Sequence, residues 1–411
     1  VKVGIIGAGI IGLCTAFELQ RRGYEVLVIE RDREPGDGCS MGNGGLVVPS
    51  HFEPLATPGM VRTGLRLMVR PGSPFGISGM FRPEIVGFLA GFLRAATPFR
   101  VEKTAQLLRN LNLQSRELFE TTYQAFATEA GYARRGELMV CGTESSFKAE
   151  AQLADHANAL GLETRVLDGK QLGEFEPDFP YRAAGAVYFA DDAHLTPPLF
   201  MRALRQDLVA KGTVFAEGET VHEFHREGQC VRAAGGYEAD QWVIAAGVGS
   251  PALLRKLGIR LPLLAGTGFG LTLPTAPRPQ HPAILIEPRV AITPMSDGLR
   301  LVGTMQLCSS NRPTNSPLRL ANMRNSVAQF CPRLNVPELQ TQPAWHGYRP
   351  CLPDGIPAIG RLAGLSNVIL ATGHAMMGFS LGPITGKLVA DLVEDPAQTC
   401  PDPLLDPNRF A

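Results

Sequence analysis

Two short apolar runs, Val3-Gly4-Ile5-Ile6 and Val26-Leu27-Val28-Ile29, frame the first thirty residues. Each is short, continuous and β-branched, which predicts a buried strand. Between them, Leu13 to Arg22 sets Ala16 and Leu19 at helical spacing, and Gly23 stands where a helix is closed by glycine. The pattern predicts strand, helix, strand. Residues 36–50 are Gly-rich and read as a loop near a ligand. Helical periodicity dominates 101–165, broken by one strand at Glu137-Leu138-Met139-Val140. From 185 to 250 the chain alternates, with strands near 186–189, 214, 221–224, 231 and 241–246 and a helix over 198–210. Residues 255–350 carry Pro-bounded β-like segments at 271–273, 290–293 and 299–303. A strand at 368–371 leads into Gly373, and a helix over 383–393 opens with Pro383, which suits a first turn. The Pro-rich tail after Glu394 is expected to trail over the surface.

Composition narrows the function classes. The chain has 411 residues, 45% hydrophobic and 19% charged, enough for more than one domain with a large core. Lys plus Arg and Asp plus Glu are 39 each, so there is no electrostatic case for nucleic acid. The eight cysteines form no C-x-x-C pair and no zinc spacing. No basic leader precedes the first strand, so the expectation is a cytoplasmic protein with reduced thiols and no metal. The apolar run Ile85 to Leu93 is far below the ~20 residues that span a bilayer.

The sharpest chemistry lies in the first unit. Gly7-Ala8-Gly9-Ile10-Ile11-Gly12 joins strand to helix, and Glu30 ends the next strand 18 residues on. Gly7 permits the tight turn, Gly9 lets backbone approach a pyrophosphate, and Gly12 lets helix and strand pack closely. The helix N-terminus offers amide groups and partial positive charge to phosphates, and Glu30 suits a ribose. This motif serves NAD and FAD alike. The loop Ser40-Met41-Gly42-Asn43-Gly44-Gly45-Leu46 follows directly and suits backbone amides running beside a flavin ring. A disulfide-reductase reading lacks its cysteine pair, because Cys39 has no partner before Cys141.

These pieces resemble the FAD-dependent oxidoreductases of the D-amino-acid oxidase superfamily, most of all its bacterial D-amino-acid dehydrogenase branch. The resemblance rests on the Gly motif with Glu30-Arg31, the Cys39–Gly45 loop and Trp242-Val243-Ile244-Ala245-Ala246-Gly247. It continues through Gly268-Phe269-Gly270-Leu271-Thr272, Gly347-Tyr348-Arg349-Pro350, Pro353-Asp354-Gly355 and Gly373-His374-Ala375-Met376-Met377-Gly378. It runs from residue 3 to about 394. It implies an α/β fold: a Rossmann-like FAD-binding domain of the glutathione-reductase type with an interleaved α+β substrate domain on a mixed or antiparallel sheet. The expected FAD-binding segments are 1–50, 150–180, 196–255 and 356–396. The expected substrate segments are 51–149, 181–195 and 256–355, with 397–411 as a tail.

The resemblance also implies site residues. Val221 would contact the adenine side through its main chain, and Ala245, Ala246 and Gly247 would pass close to the dinucleotide. Gly373, His374, Met376, Met377, Gly378, Phe379 and Ser380 would line the flavin, with the following helix N-terminus facing its N1 edge. Arg349 would pair with the substrate carboxylate, a task suited to a planar guanidinium fork. His374 is expected in the catalytic site, and His194, Tyr348 and Met377 near the substrate; Tyr348 is equally compatible with core packing. Some relatives attach flavin through a Cys about six residues before the Pro-Asp step, which here is Gly347, so non-covalent FAD is expected.

The implied reaction is oxidation of a D-amino acid at Cα to an imine, then a 2-oxo acid and ammonia, with electrons passed to a quinone-type acceptor. A cyclic secondary amine such as D-hydroxyproline, an O2-using glycine or sarcosine oxidase, and a non-catalytic flavin-binding electron-transfer subunit are the alternatives. In 59–101, Arg62, Arg66, Arg70, Arg82, Arg94 and Arg100 sit among Met, Leu, Phe and Val. That mixture suits either a peripheral membrane contact or a helix packed on the FAD-binding domain with a solvated Arg face.

Overall fold

The computed structural model describes residues 1–33, 38–59, 61, 73, 75–79, 81–308, 317–335 and 345–411. The first strand–helix–strand unit is β1 (Lys2–Ile6), α1 (Ile10–Arg21) and β2 (Glu25–Glu30). β1 and β2 pair in parallel from Lys2 opposite Glu25 to Ile6 opposite Ile29. They are the heart of a six-stranded sheet ordered 358–361, 368–372, 241–244, β1, β2, 214–217. All neighbours are parallel except 358–361, which runs against 368–372. Both faces of β1 are covered, which is why its residues are apolar without alternation. Trp242, fully buried on the adjacent strand, fills the space above Gly4 and donates its indole N–H to Val231 O.

A second, mostly antiparallel sheet has the order 345–351, 264–273, 298–308, 290–295, 283–285, 137–141, 185–189, 164–168, with 75–77 added in parallel beside 298–308. The two sheets carry separate apolar cores. One is built by α1 and the helices Pro98–Glu120, Pro197–Ala210 and Gly382–Glu394. The other lies under the second sheet and helix Pro317–Phe330. α1 and Gly382–Glu394 touch almost backbone to backbone: a Cβ on Gly386 would stand 2.5 Å from Cys14 O.

Several expectations are corrected by these pairings. Residues 150–180 do not join the first sheet. Thr164–Asp168 pairs with Gly185–Phe189 in the second sheet, and helix Glu144–Ala159 packs on the same strands. Conversely, Pro98–Glu120 and Gln124–Glu129, expected in the substrate domain, bury Leu108, Leu111, Phe119 and Ala127 in the first core. Periodicity shows that a helix has a buried face but not which sheet it covers. The strand expected at 221–224 begins instead at Phe224 and ends at Glu227, leaving Val221 in an extended loop.

The tail is also corrected. Residues 397–411 fold back onto the edge strand Ala358–Arg361, where Ile359 N–H donates to Leu405 O and Arg361 N–H to Thr399 O. Leu405 is fully buried, and Arg409 closes the tail through a half-buried ion pair with Asp354. The Pro-rich segment ends in a short 3-10 helix, Pro407–Phe410, which opens on Pro407 and is capped by Asp406. Leu405→Ala should destabilise the chain by about 2–5 kcal/mol through lost burial and a residual cavity. Chemical denaturation followed by far-UV circular dichroism checks it; an unchanged midpoint would show the tail to be ornamental.

Candidate active site

At the carboxyl ends of β1, β2 and 241–244 the chain encloses a cavity of about 610 Å³. β1 ends in Gly7, whose φ of 111° lies in the region that L side chains avoid. Its N–H donates to Ile29 O, and a Cβ there would stand 2.6 Å from Ala245 O. A Cβ on Gly12 would collide with Gly7 O. The glycines therefore hold the turn and the start of α1 close to the sheet. Gly9, Ile10 and Ile11 then line the cavity with the N-terminal turn of α1, where partial positive charge gathers. Ile10 N–H donates to Ser40 Oγ, which fastens the following loop to that turn.

Glu30 lines the cavity from the end of β2. Its Oε2 accepts Ala8 N–H at 2.6 Å and its Oε1 accepts Asp32 N–H. Thus Ala8 acts through its amide behind the wall. Arg31, Ser40, Asn43, Val221, Ala245, Ala246, Gly247, His374, Gly378 and Phe379 also line the cavity. The remaining expected residues do not line it. Gly45 N–H donates to Asn43 Oδ1, and Leu46 pairs with His194, so Gly44 to Leu46 lead away into a two-stranded ladder. Gly373 makes a turn with φ 85°, and the Met376 side chain is 45% exposed.

Three expected residues, Met377 and His194 on the substrate side and Ser380 on the flavin side, lie away from the cavity wall. Met377 is buried in the first core, with Sδ 3.9 Å from Asn112 Nδ2, and does not line the cavity. Ser380 likewise sits in the interior, where its Oγ accepts Val48 N–H and donates to Asn112 Oδ1. His194 is buried, trades backbone hydrogen bonds with Ala133, and is absent from the cavity wall. Burial pulls its pKa down to about 4.

His374 does face the cavity. Its Nε2 lies 3.0 Å from Thr385 Oγ1 in the helix Gly382–Glu394, and burial pulls its pKa down to about 3. The ring is neutral at any working pH, so it carries no charge into the site. Tyr348 lines the cavity together with His346; Arg349, the next residue, does not. Successive residues of a strand point to opposite faces. Arg349 shares its face with Trp345 and Gly347, and its guanidinium lies over Gly268, where any side chain would collide with it. Its Nη1 donates to Thr304 O at 2.7 Å. Among the described residues no carboxylate lies within ion-pair distance, and burial pulls its pKa down. The charge is nonetheless beside the site, because Cys39 of the cavity wall feels it directly.

Sequence reasoning missed part of the wall. Asp32, Cys39, Glu219, Thr220, His222, Val248, Gly249, Ala252, Leu253, Lys256, His346 and Thr372 all contribute. One signal was present: Gly247-Val248-Gly249 before Ser250-Pro251 is a second glycine turn into a short helix. The turn at 219–222 has no comparable signature.

An elongated cavity with an anion-favouring helix tip at a glycine turn and a carboxylate at the next strand end fits a dinucleotide. The comparisons with known proteins agree. The model of the DAO family, FAD dependent oxidoreductase, matches residues 2–392. A D-amino acid dehydrogenase of Helicobacter pylori is 26% identical over 402 residues, covering 96% of this chain and 95% of the relative. One from Rhizorhabdus wittichii is 30% identical over 410 residues, covering 95% and 96%. Among solved structures, glycine oxidase from Geobacillus kaustophilus superposes with TM-score 0.72 at 21% identity over 98% of both chains. L-proline dehydrogenase from P. horikoshii gives 0.73 at 19% identity, covering 100% of this chain and 97% of the other. At these identities the structural likeness shows the fold. Because Gly12 leaves no room for a side chain beside the Gly7 backbone, Gly12→Val should lose FAD and also lower the Tm of the chain. Visible flavin absorbance relative to protein absorbance measures this, and a yellow variant would contradict the packing described.

Proposed function

Since this chain belongs to the DAO family of FAD dependent oxidoreductases, we propose that it oxidises a D-amino acid, with Arg349 holding the substrate carboxylate. The observation that carries the reading is the buried guanidinium beside the cavity, whose hydrogen-bond partner among the described residues is a backbone carbonyl rather than an anion. A buried cation is costly until an anion meets it, so the site favours an incoming carboxylate. The amino-acid class is supported by the names of the relatives from Helicobacter pylori and Rhizorhabdus wittichii, both D-amino acid dehydrogenases.

Gly7, Gly9, Glu30, Ser40, Ala245 and Gly247 would hold the dinucleotide, non-covalently, along the glycine turns. Bound FAD supplies the two-electron sink that accepts a hydride from the substrate Cα. The chain itself orients and desolvates. Arg349 fixes the carboxylate and thereby the position of Cα–H. Tyr348 and His346 wall the cavity. His374 is a positioning residue: neutral and tied to Thr385, it fixes the loop after Gly373 against the C-terminal helix. The amine lone pair drives the loss of Cα–H, so no protein base is required. The substrate loses two electrons and two protons to become an imine, which takes up water to give a 2-oxo acid and ammonia.

Anaerobic mixing with a panel of D-, L- and N-alkyl amino acids should bleach the flavin with D-amino acids. In Arg349→Ala, flavin content should persist while the second-order bleaching rate falls by about 10²–10³, the usual cost of removing one partner of a buried charge pair. Equal rates in variant and wild type would overturn the assignment.

The electron acceptor is proposed to be a quinone reached at a membrane surface. Among the described residues, Phe81, Val86, Leu93 and Phe99 expose apolar side chains beside exposed Arg82, Arg94, Arg100 and Lys103. Helix Pro83–Ala95 meanwhile buries Ile85 and Phe88 against the second sheet. Such a rim suits an anionic interface. Arg62, Arg66 and Arg70 lie outside the described residues, and no described helix is long and apolar enough to cross a membrane. Reduced enzyme should reoxidise faster with quinone in anionic vesicles than with air, and Phe81→Ser with Phe99→Ser should remove that advantage. Rapid reoxidation by air alone would identify an oxidase instead.

A further inference from the structure

Behind the loop that follows Asn43, three segments distant in sequence bring ionisable side chains to one point. His51 comes from the chain leaving that loop, Glu137 opens the strand Glu137–Cys141, and Asp192 precedes the short strand Ala193–His194. Each offers a ligand atom, and these atoms lie within 4.8 Å of one another. His51 Nδ1 is 3.9 Å from Glu137 Oε2. Glu137 and Asp192 are both completely buried.

The carboxyl groups lack what buried carboxyls ordinarily have. Besides His51, Glu137 has only the Asp192 carboxyl and the Ser50 hydroxyl as polar neighbours among the described residues, and no backbone N–H or arginine among them donates to either of its oxygens. Asp192 Oδ1 accepts Ser50 N–H at 3.0 Å, and Ser50 Oγ lies 3.1 Å from His51 Nδ1. The nearby arginines are engaged elsewhere: Arg116 and Arg134 pair with Asp191 on the other side of the turn. Two buried carboxyls with no cation beside them among the described residues are costly to ionise, so the pocket favours the arrival of a cation.

We propose that His51, Glu137 and Asp192, none of which lines the electron-transfer cavity, form a binding site for one first-row divalent cation, zinc above the rest. One imidazole nitrogen and two carboxylate oxygens are hard-to-borderline donors suited to that ion, and two carboxylates balance its charge. Zinc bonds of about 2.0–2.2 Å place ligand atoms roughly 3.3–3.5 Å apart, so the His51–Glu137 pair at 3.9 Å would close by about half an ångström and the widest pair, within 4.8 Å, by up to about 1.5 Å through side-chain rotation. Ser50 Oγ or a water would complete the tetrahedron. The ion would tie the segment after the flavin loop to the second sheet, a structural role independent of substrate.

The test uses the flavin-loaded enzyme, dialysed against a chelator and then titrated with zinc chloride in a non-coordinating buffer. Wild type should retain one zinc per chain above the variants by elemental analysis, and its Tm should rise by about 3 °C or more. In Glu137→Gln, which keeps the side-chain shape, and in His51→Ala, at a half-buried position, affinity should fall at least about tenfold and the Tm rise should vanish. Equal zinc content in wild type and both variants, or an undiminished Tm rise in them, overturns the proposal and leaves the two carboxyls sharing a proton. Flavin bleaching plays no part in the readout, so failure here and failure of the amino-acid oxidation reading are separate results.

Discussion

The cavity depends on one steric constraint: nothing larger than hydrogen fits between the end of β1, the start of α1 and the strand Gln241–Ile244. Gly7 turns with a positive φ under Ala245 O, and Gly12 faces Gly7 O directly. That closeness delivers the first turn of α1 to the cavity and lets Glu30, from the neighbouring strand, lock the turn through Ala8 N–H. The same economy recurs on the far side of α1, where Gly382 and Gly386 admit the C-terminal helix against Ile10 and Cys14. The dinucleotide cradle and the first core are therefore one packing problem.

The substrate side follows a different logic. The strand Trp345–Cys351 lies at the edge of the second sheet, with its residues alternating between two environments. His346 and Tyr348 look into the cavity, whereas Arg349 lies over Gly268 with Trp345 over Gly347. A guanidinium buried on a carbonyl is a charge in waiting, and the fold supports it by keeping Gly268 free of a side chain. His374 shows the converse. Placed at the cavity and expected to be chemically active, it is so thoroughly desolvated that it remains neutral, and its contribution is geometric.

Local signals were readable where residues close in sequence are also close in space. The strand–helix–strand unit, the glycine turn, Glu30 and the strand before Ala245 all belong to that class. They appear in the structure within a few residues of where hydrophobic runs and glycines place them. The errors have another origin. Thr164–Asp168 and Pro98–Glu120 are correctly regular, yet their partners lie in the opposite domain from that expected, because amphipathic faces do not name what covers them. Met377 reads as a site residue from its neighbours, but the loop turns it inward toward Asn112.

By itself, then, the sequence determined the first strand–helix–strand unit, the dinucleotide turn and the family to which the chain belongs, but not the helix Pro317–Phe330 or the strand Ala358–Arg361. Each of these is carried by short spacing, backbone freedom at glycine and continuous apolar runs. Tertiary structure alone decided that the tail docks on Ala358–Arg361, that the Arg349 guanidinium lies over Gly268 against Thr304 O, and that His51, Glu137 and Asp192 meet. Those outcomes depend on contacts between segments tens to hundreds of residues apart, and no local periodicity encodes which buried surfaces will close on one another.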